Sequence, residues 1–214
     1  MDLATKQMLR RLYERATFKV NVPQVCVHRG CVFVHIPRAA GSSLSLALFG
    51  CQVGHRKLKE YQLGRDRRMN DLLKFTVCRN PIDRAYSGYR FLKAGGLTKS
   101  DENWAKKHHM ANMSFDGFVR DVLVKESGHP HVHFIPQFEF VERYAYGPVG
   151  VDVICRYENL AKEVGEVART LGLKLDLEHL NASPSSDGPE HDPATLAALK
   201  KLYARDFYLF GYSL

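Results

Sequence analysis

Arg38, Gly41, Ser42 and Ser43 are the densest group of residues able to do chemistry, and they lie in Cys31–Leu48, CVFVHIPRAAGSSLSLAL. Val32, Phe33, Val34 and Ile36 make a short apolar, β-branched run of the kind that fills a buried parallel strand. Pro37 ends that strand. Arg38, Ala39 and Ala40 lead into Gly41, which lets the backbone come close to a ligand. Ser42 and Ser43 are expected to cap a helix that begins there. A helix N-terminus has N–H groups without intrahelical acceptors and a dipole that favours negative charge. With an arginine added, the turn suits a phosphate or a sulfate. A serine-capped strand-to-helix connection with no ligand accounts for the same residues. The common nucleotide loop is excluded, because its Gly-Lys-Ser/Thr occurs nowhere in the chain.

A second group lies in Lys74–Leu92, KFTVCRNPIDRAYSGYRFL. Phe75, Val77 and Cys78 predict another buried strand, ending at Arg79-Asn80-Pro81. Pro81 fits the first turn of a following helix. On that helix Asp83, Ser87 and Arg90 are three or four residues apart and share a face. Arg79 at the strand end and Ser87 on the helix can then converge on one anion. A strand end followed by a solvated basic helix is the plainer reading.

Taken together, the two segments resemble the sulfotransferases that use 3′-phosphoadenosine 5′-phosphosulfate (PAPS). IPRAAGSSL is similar to the 5′-phosphosulfate loop of that superfamily, and VCRNPIDRAYSGYRFL to its 3′-phosphate motif. GHRKLKEY, SFDGFV, HFIPQFEFV, RYENL and the final YARDFYLFGY agree. The resemblance runs from about residue 30 to the C-terminus and is nearest the carbohydrate-type enzymes, which include heparan 2-O-sulfotransferase, and their small bacterial relatives. One position departs from the pattern: Arg38 stands where a lysine is usual. Arginine occurs there in the similar tyrosylprotein sulfotransferases, and it forks onto two oxygens where lysine is a point charge.

The resemblance implies a parallel three-layer α/β fold of the P-loop-nucleotide-hydrolase-like kind, with PAPS as co-substrate and no metal. Arg38, Ala39, Ala40, Gly41, Ser42 and Ser43 would hold the 5′-phosphosulfate, with Arg38 also catalytic, and Arg79 and Ser87 the 3′-phosphate. A hydroxyl acceptor needs a base, and histidine suits neutral pH. The resembling 2-O-sulfotransferases place a catalytic histidine between the two motifs, which makes His55 the expected base, with His133 and then Glu60 behind it. His129, His131 and His133 alternate, which on a strand would put them on one face with metal-ligand spacing. Pro130 interrupts the pattern and no cysteine is near, so a polar loop is expected there. Gln137 would line an acceptor cleft or anchor a loop. Asn181 and Ser183 fall where relatives close a loop over the nucleotide. Arg156, Tyr157 and Glu158 are read as structural.

The elements that must position these groups alternate along the chain. Val25–Val27 and Cys31–His35 are expected as neighbouring strands turning at Arg29-Gly30. Helices are expected at Ser42–Phe49, Ile82–Leu92, Phe115–Val124, Glu158–Leu171 and Ala194–Phe207, and strands at Phe75–Cys78 and Val151–Cys155. Ala94–Lys107 reads as a mobile insertion. Alternating strands and helices imply a parallel sheet with ligands beyond its C-terminal strand ends. The 214 residues fit one domain with a short amphipathic helical extension over 1–22, built on Met8, Leu9, Leu12 and Tyr13. That extension has no apolar signal core, and no run reaches the length of a membrane span.

Five cysteines without metal spacing suit a reduced, cytoplasmic protein. The net charge is +8, and Arg56, Lys57, Lys59, Arg65, Arg67 and Arg68 cluster between the two motifs, opposed locally only by Glu60 and Asp66. Such a segment favours an anionic carbohydrate acceptor if it borders the acceptor site, and is otherwise a solvated loop. No nucleic-acid-binding signature is present, and no feature specifies an oligomeric state. The rival readings are a kinase-like phosphotransferase, which needs ATP and magnesium, and a non-catalytic PAP-, PAPS- or polysaccharide-binding protein.

Overall fold

The computed structural model describes residues 5, 21–63, 67–127, 129–145, 147–175 and 191–213. Met8, Leu9, Leu12 and Tyr13, Arg65 and Asp66, and Asn181 and Ser183 lie outside those residues. The strands are β1 (Cys31–Val34), β2 (Leu73–Cys78) and β3 (Val153–Arg156). The helices are α1 (Gln24–Arg29), α2 (Gly41–Phe49), α3 (Leu58–Leu63), α4 (Pro81–Lys93), α5 (Lys99–Lys107), α6 (Phe115–Phe118), α7 (Phe138–Val141), α8 (Leu160–Thr170), α9 (Pro193–Leu202) and α10 (Ala204–Phe210). The chain divides into two compact units, Met1–Cys78 with Gln137–Ala182 and Arg79–Pro136 with Ser183–Leu214.

The first unit is built on a three-stranded parallel sheet in the order β1-β2-β3. Phe33 pairs with Phe75 and Phe75 with Val153. Every residue of β1 is buried, which is why its sequence is apolar without alternation. The Phe33 and Phe75 rings meet at 5.1 Å, and the buried Thr76 hydroxyl donates to the Val34 carbonyl at 2.7 Å. Because the strands are parallel, the chain leaves β1 and β2 at the same edge of the sheet. The turn carrying Arg38 follows β1, and Arg79 directly follows β2 in the chain.

Val25–Val27 is not a strand. Those residues lie in α1, where Cys26 and Val27 donate their amides to the Pro23 carbonyl. Pro23 presets the helix entry, and Gly30 at φ 69° supplies the left-handed cap that turns the chain into β1. A three-residue apolar alternation could not outweigh that punctuation. In the same unit the buried Lys59 ammonium meets Glu142 at 3.2 Å, and Lys57 meets Glu139 at 2.6 Å. These pairs join the start of α3 to α7.

The second unit packs α4, α5, α6, α9 and α10 around an apolar cluster that includes Tyr89, Leu92, Phe118, Leu123, Phe134 and Phe207. Asn80 caps α4 by accepting the amides of Ile82 and Asp83, and Pro81 follows as its first residue. Ala94–Lys107, expected as an insertion, is partly regular. Its second part is α5, held by a reciprocal capping box between Thr98 and Asp101. The helix at Phe115 continues through one π-helical turn, Val119–Leu123. The expected last helix is two, broken at Tyr203, whose hydroxyl donates to the Phe134 carbonyl at 2.8 Å.

Arg84 on α4 is 0% exposed. Its guanidinium donates to the carbonyls of His133 at 3.0 Å and Ile135 at 2.8 Å, and lies 5.6 Å from the Tyr203 ring centre. Asp206, also buried, supplies the opposite charge. Removing one partner of a buried charge network leaves the others uncompensated. Arg84→Met is therefore expected to cost about 3–5 kcal/mol in urea unfolding. A loss below about 1 kcal/mol would show that the network adds nothing to stability.

Candidate anion turn and catalytic base

The turn after β1 is shaped by His35. Its imidazole is 3% exposed and stacks against Phe33 at 5.7 Å. An ideal Cβ at Gly41 would fall 1.8 Å from the His35 ring. Gly41 is thus required by a side chain of this protein: the first turn of α2 lies directly on the imidazole. Arg38 at φ 68° and Ala40 at φ 59° both occupy the left-handed region, which β-carbon-bearing residues avoid. They reverse the chain tightly enough to start α2 over the end of β1.

Ser42 and Ser43 are not the cap of α2. The capping position is Ala40, no side chain bonds there, and both serines are exposed in the first helical turn. The first ladder donor is the Leu44 amide, to Ala40 at 3.2 Å, so the amides of Gly41, Ser42 and Ser43 precede the ladder. No acidic residue lies in that turn. Its field is not quenched by a carboxylate of its own.

His55 comes to the same place in the first unit. Its ring centre is 4.2 Å from that of His35, edge on. Its Nδ1 lies 3.4 Å from the His35 carbonyl oxygen. A carbonyl only accepts, so Nδ1 is the donor in that contact. Burial, and next the neighbouring His55, push the His35 imidazole down from the usual 6.5 to about 3. At neutral pH His35 is therefore an uncharged spacer, and its Nδ1 has no hydrogen-bond partner.

Arg79 and Ser87 belong to the second unit and are half-buried, Arg79 directly following β2 in the chain. Asp83 and Ser87 on α4 are half-buried and Arg90 is exposed, as expected of one partly solvated face.

The other candidate bases are engaged elsewhere. Glu60 accepts the Lys57 amide at 3.2 Å, a capping role in the first turn of α3. His133 is buried, its Nε2 3.9 Å from Asp101 in the second unit. His129, His131 and His133 do not share a strand face, since Val132–Phe134 is a 3-10 turn and His129 is exposed. Gln137 is fully buried in the first unit, as a loop anchor would be. The Arg156 amide donates to Glu163 at 2.7 Å, a structural bond at the start of α8.

The basic segment is also less free than its sequence suggests. Lys57 and Lys59 face Glu139 and Glu142, some 80 residues away, so the local count of opposing charge was too low. Arg56 and Arg67 remain exposed, and Arg68 donates to Gln24 at 3.1 Å.

Two tests follow from His35. Gly41→Ala forces a methyl into its ring and is expected to cost about 1–3 kcal/mol by urea denaturation. Wild-type stability in Gly41→Ala would mean that the turn has room. The second test is pH. Folded His35 takes up a proton only near pH 3, whereas the unfolded chain does so near 6.5. Stability is therefore complete above about 6.5 and lost as the pH falls toward 3, at about 1.4 kcal/mol per pH unit from this one group. Replacing it in His35→Gln is expected to flatten the stability–pH slope between pH 6 and 4. Equal slopes would mean that His35 is not the titrating group.

A family model described as the sulfotransferase family matches residues 4–213. No curated protein and no solved structure gives a significant match. The family match takes in both the turn after β1 and the segment after β2, and the chain belongs to the sulfotransferase family.

Proposed function

We propose that this protein transfers the sulfuryl group of PAPS to a hydroxyl of a carbohydrate or glycoconjugate. The observation that carries the reading is the meeting of His55 with the acid-free first turn of α2 across His35. Family membership supplies the reaction class.

Each residue has a role that its chemistry can perform. Arg38 and the amides of Gly41, Ser42 and Ser43 hold the 5′-phosphosulfate, and Arg79 and Ser87 take the 3′-phosphate. The acceptor oxygen attacks sulfur in line as the bridging S–O bond breaks, and the electron pair leaves with the 5′-phosphate of PAP. Charge builds on that leaving oxygen, where Arg38 and fixed N–H dipoles stabilise it without reorganisation. His55 Nε2 removes the hydroxyl proton. Arg38 can hold two oxygens at once, so it positions as well as neutralises.

The basic segment is less electropositive than the sequence implies, because Lys57 and Lys59 are paired. Arg56, Arg67 and Arg68 are exposed cations of that segment that would favour an acidic sugar. Five free cysteines, four of them buried, support a reducing, cytoplasmic setting. Among the described residues no helix is long and apolar enough to cross a membrane.

Calorimetric titration with PAP, alongside ATP and ADP with magnesium, tests the donor site. PAP is expected to bind in preference to ATP. Losing a bidentate charged contact in Arg79→Ala should weaken it at least ~10-fold. A preference for ATP with magnesium would instead favour a phosphotransferase. Turnover is read as PAP release from PAPS over a panel of hydroxyl-bearing saccharides. Removing the base in His55→Ala is expected to lower kcat by about 10²–10⁴ while PAP affinity stays within a few-fold. PAP binding with no turnover on any acceptor would favour the non-catalytic reading.

A further inference from the structure

Asp101, His131 and His133, all in the second unit, converge, and none of the three is assigned a part in sulfuryl transfer. The Asp101 Oδ1 atom is 3.3 Å from His131 Nε2 and 3.9 Å from His133 Nε2. The three donor atoms all lie within 4.8 Å of one another. We propose that this trio binds one divalent transition-metal ion of the zinc class.

The spacing fits such an ion. Zinc bonds imidazole nitrogen and carboxylate oxygen at about 2.0–2.2 Å, which sets tetrahedral ligands roughly 3.3–3.5 Å apart. One pair is at that distance, the second is at 3.9 Å, and the third, within 4.8 Å, must close by at most about 1.5 Å. A proton does not explain the arrangement equally well, because 3.9 Å is beyond hydrogen-bond length. A cation bonded to each donor joins all three. Two neutral imidazoles and one carboxylate are a borderline donor set, suited to zinc rather than to calcium or magnesium, and they leave coordination positions for water.

The ligands are held in place. Asp101 is 7% and His133 6% exposed. The second carboxylate oxygen, Oδ2, accepts the amides of Leu97 at 3.1 Å and Thr98 at 3.0 Å, which presents Oδ1 to the imidazoles. A Cβ at Gly96 would fall 2.2 Å from that of Asp101, so the loop before α5 closes tightly on the carboxylate. The His131 ring packs on Trp104 at 5.2 Å and the His133 ring on Phe91 at 4.7 Å. Arg84 fixes the backbone at His133 and Ile135. His129 takes no part: its Nδ1 is 2.9 Å from the Ser127 carbonyl. The bound ion clips the first turn of α5 to the 131–135 segment. Its role is structural and independent of the sulfuryl-transfer reading.

The test uses the untagged full chain, stripped with chelator and dialysed against Zn(II). Bound metal is measured by atomic emission, and affinity by competition with a chromophoric chelator. One zinc per chain is expected, with a higher Tm. Co(II) in its place should give visible d–d bands. In Asp101→Asn the amide oxygen still accepts the Leu97 and Thr98 amides, and His131→Gln alters a half-buried ring. Both should fold by circular dichroism yet bind at least ~10-fold more weakly. His129→Gln should bind as wild type. No retained zinc in the wild type, or equal affinity in His131→Gln and wild type, overturns the site and leaves an Asp–His pair.

Discussion

Gly41 can lie on the His35 imidazole only because neither residue carries what would normally keep them apart: the glycine has no Cβ, and the histidine has no charge. This contact fixes where α2 begins relative to β1, and through the His35 carbonyl it also fixes where His55 sits. Desolvation keeps His35 neutral at physiological pH. A charged imidazole there would oppose both Arg38 and protonation of its neighbour His55. In the proposed reading the cationic side chain of the turn is therefore Arg38, supplemented by backbone dipoles rather than by a second titrating group.

Charge elsewhere in the first unit follows a different logic. Lys59 and Glu142 are almost completely buried, and removing two ions from water costs about as much as their attraction returns. The pair is better understood as fixing geometry than as adding stability. With Lys57 and Glu139 it sets α3 against α7 at two points, and α3 follows the loop that carries His55. A net charge of +8 is thus a poor guide to the surface potential, since part of the basic segment neutralises acids far along the chain.

What the sequence made legible was local. The apolar runs of β1 and β2, the Asn80-Pro81 start of α4 and the stop of α8 before Gly172 all have short-range causes, and the structure has them. Thr98-x-x-Asp101 was equally local, a capping box hidden by the two glycines before it. What could not be read was long-range: the His35 ring beneath Gly41, the Lys57–Glu139 and Lys59–Glu142 pairs, Arg84 on the carbonyls of 133 and 135, and Asp101 opposite His131 and His133. No periodicity encodes a contact between residues that far apart. Ser42 and Ser43 failed as caps for a subtler reason. The left-handed residue Ala40 took that position, and composition gives no warning of an alanine at positive φ.

The departure at Arg38 can be understood from that backbone. Arg38 and Ala40 both hold conformations that cost a residue with a Cβ of order 1 kcal/mol. Such strain persists where the surroundings over-determine it, and here the His35 ring below and the buried strand before it leave the turn little choice. The backbone penalty is the same for lysine as for arginine, so strain cannot account for which of them stands at 38. Donor geometry can. A lysine delivers one mobile point charge, whereas a guanidinium presents paired N–H groups in a plane. On a turn whose amides are already fixed in direction, a planar fork would define how the phosphosulfate of the proposed reaction is oriented about its own axis. The substitution is therefore expected to change how tightly the sulfuryl group is aligned with the attacking oxygen more than whether the anion is held.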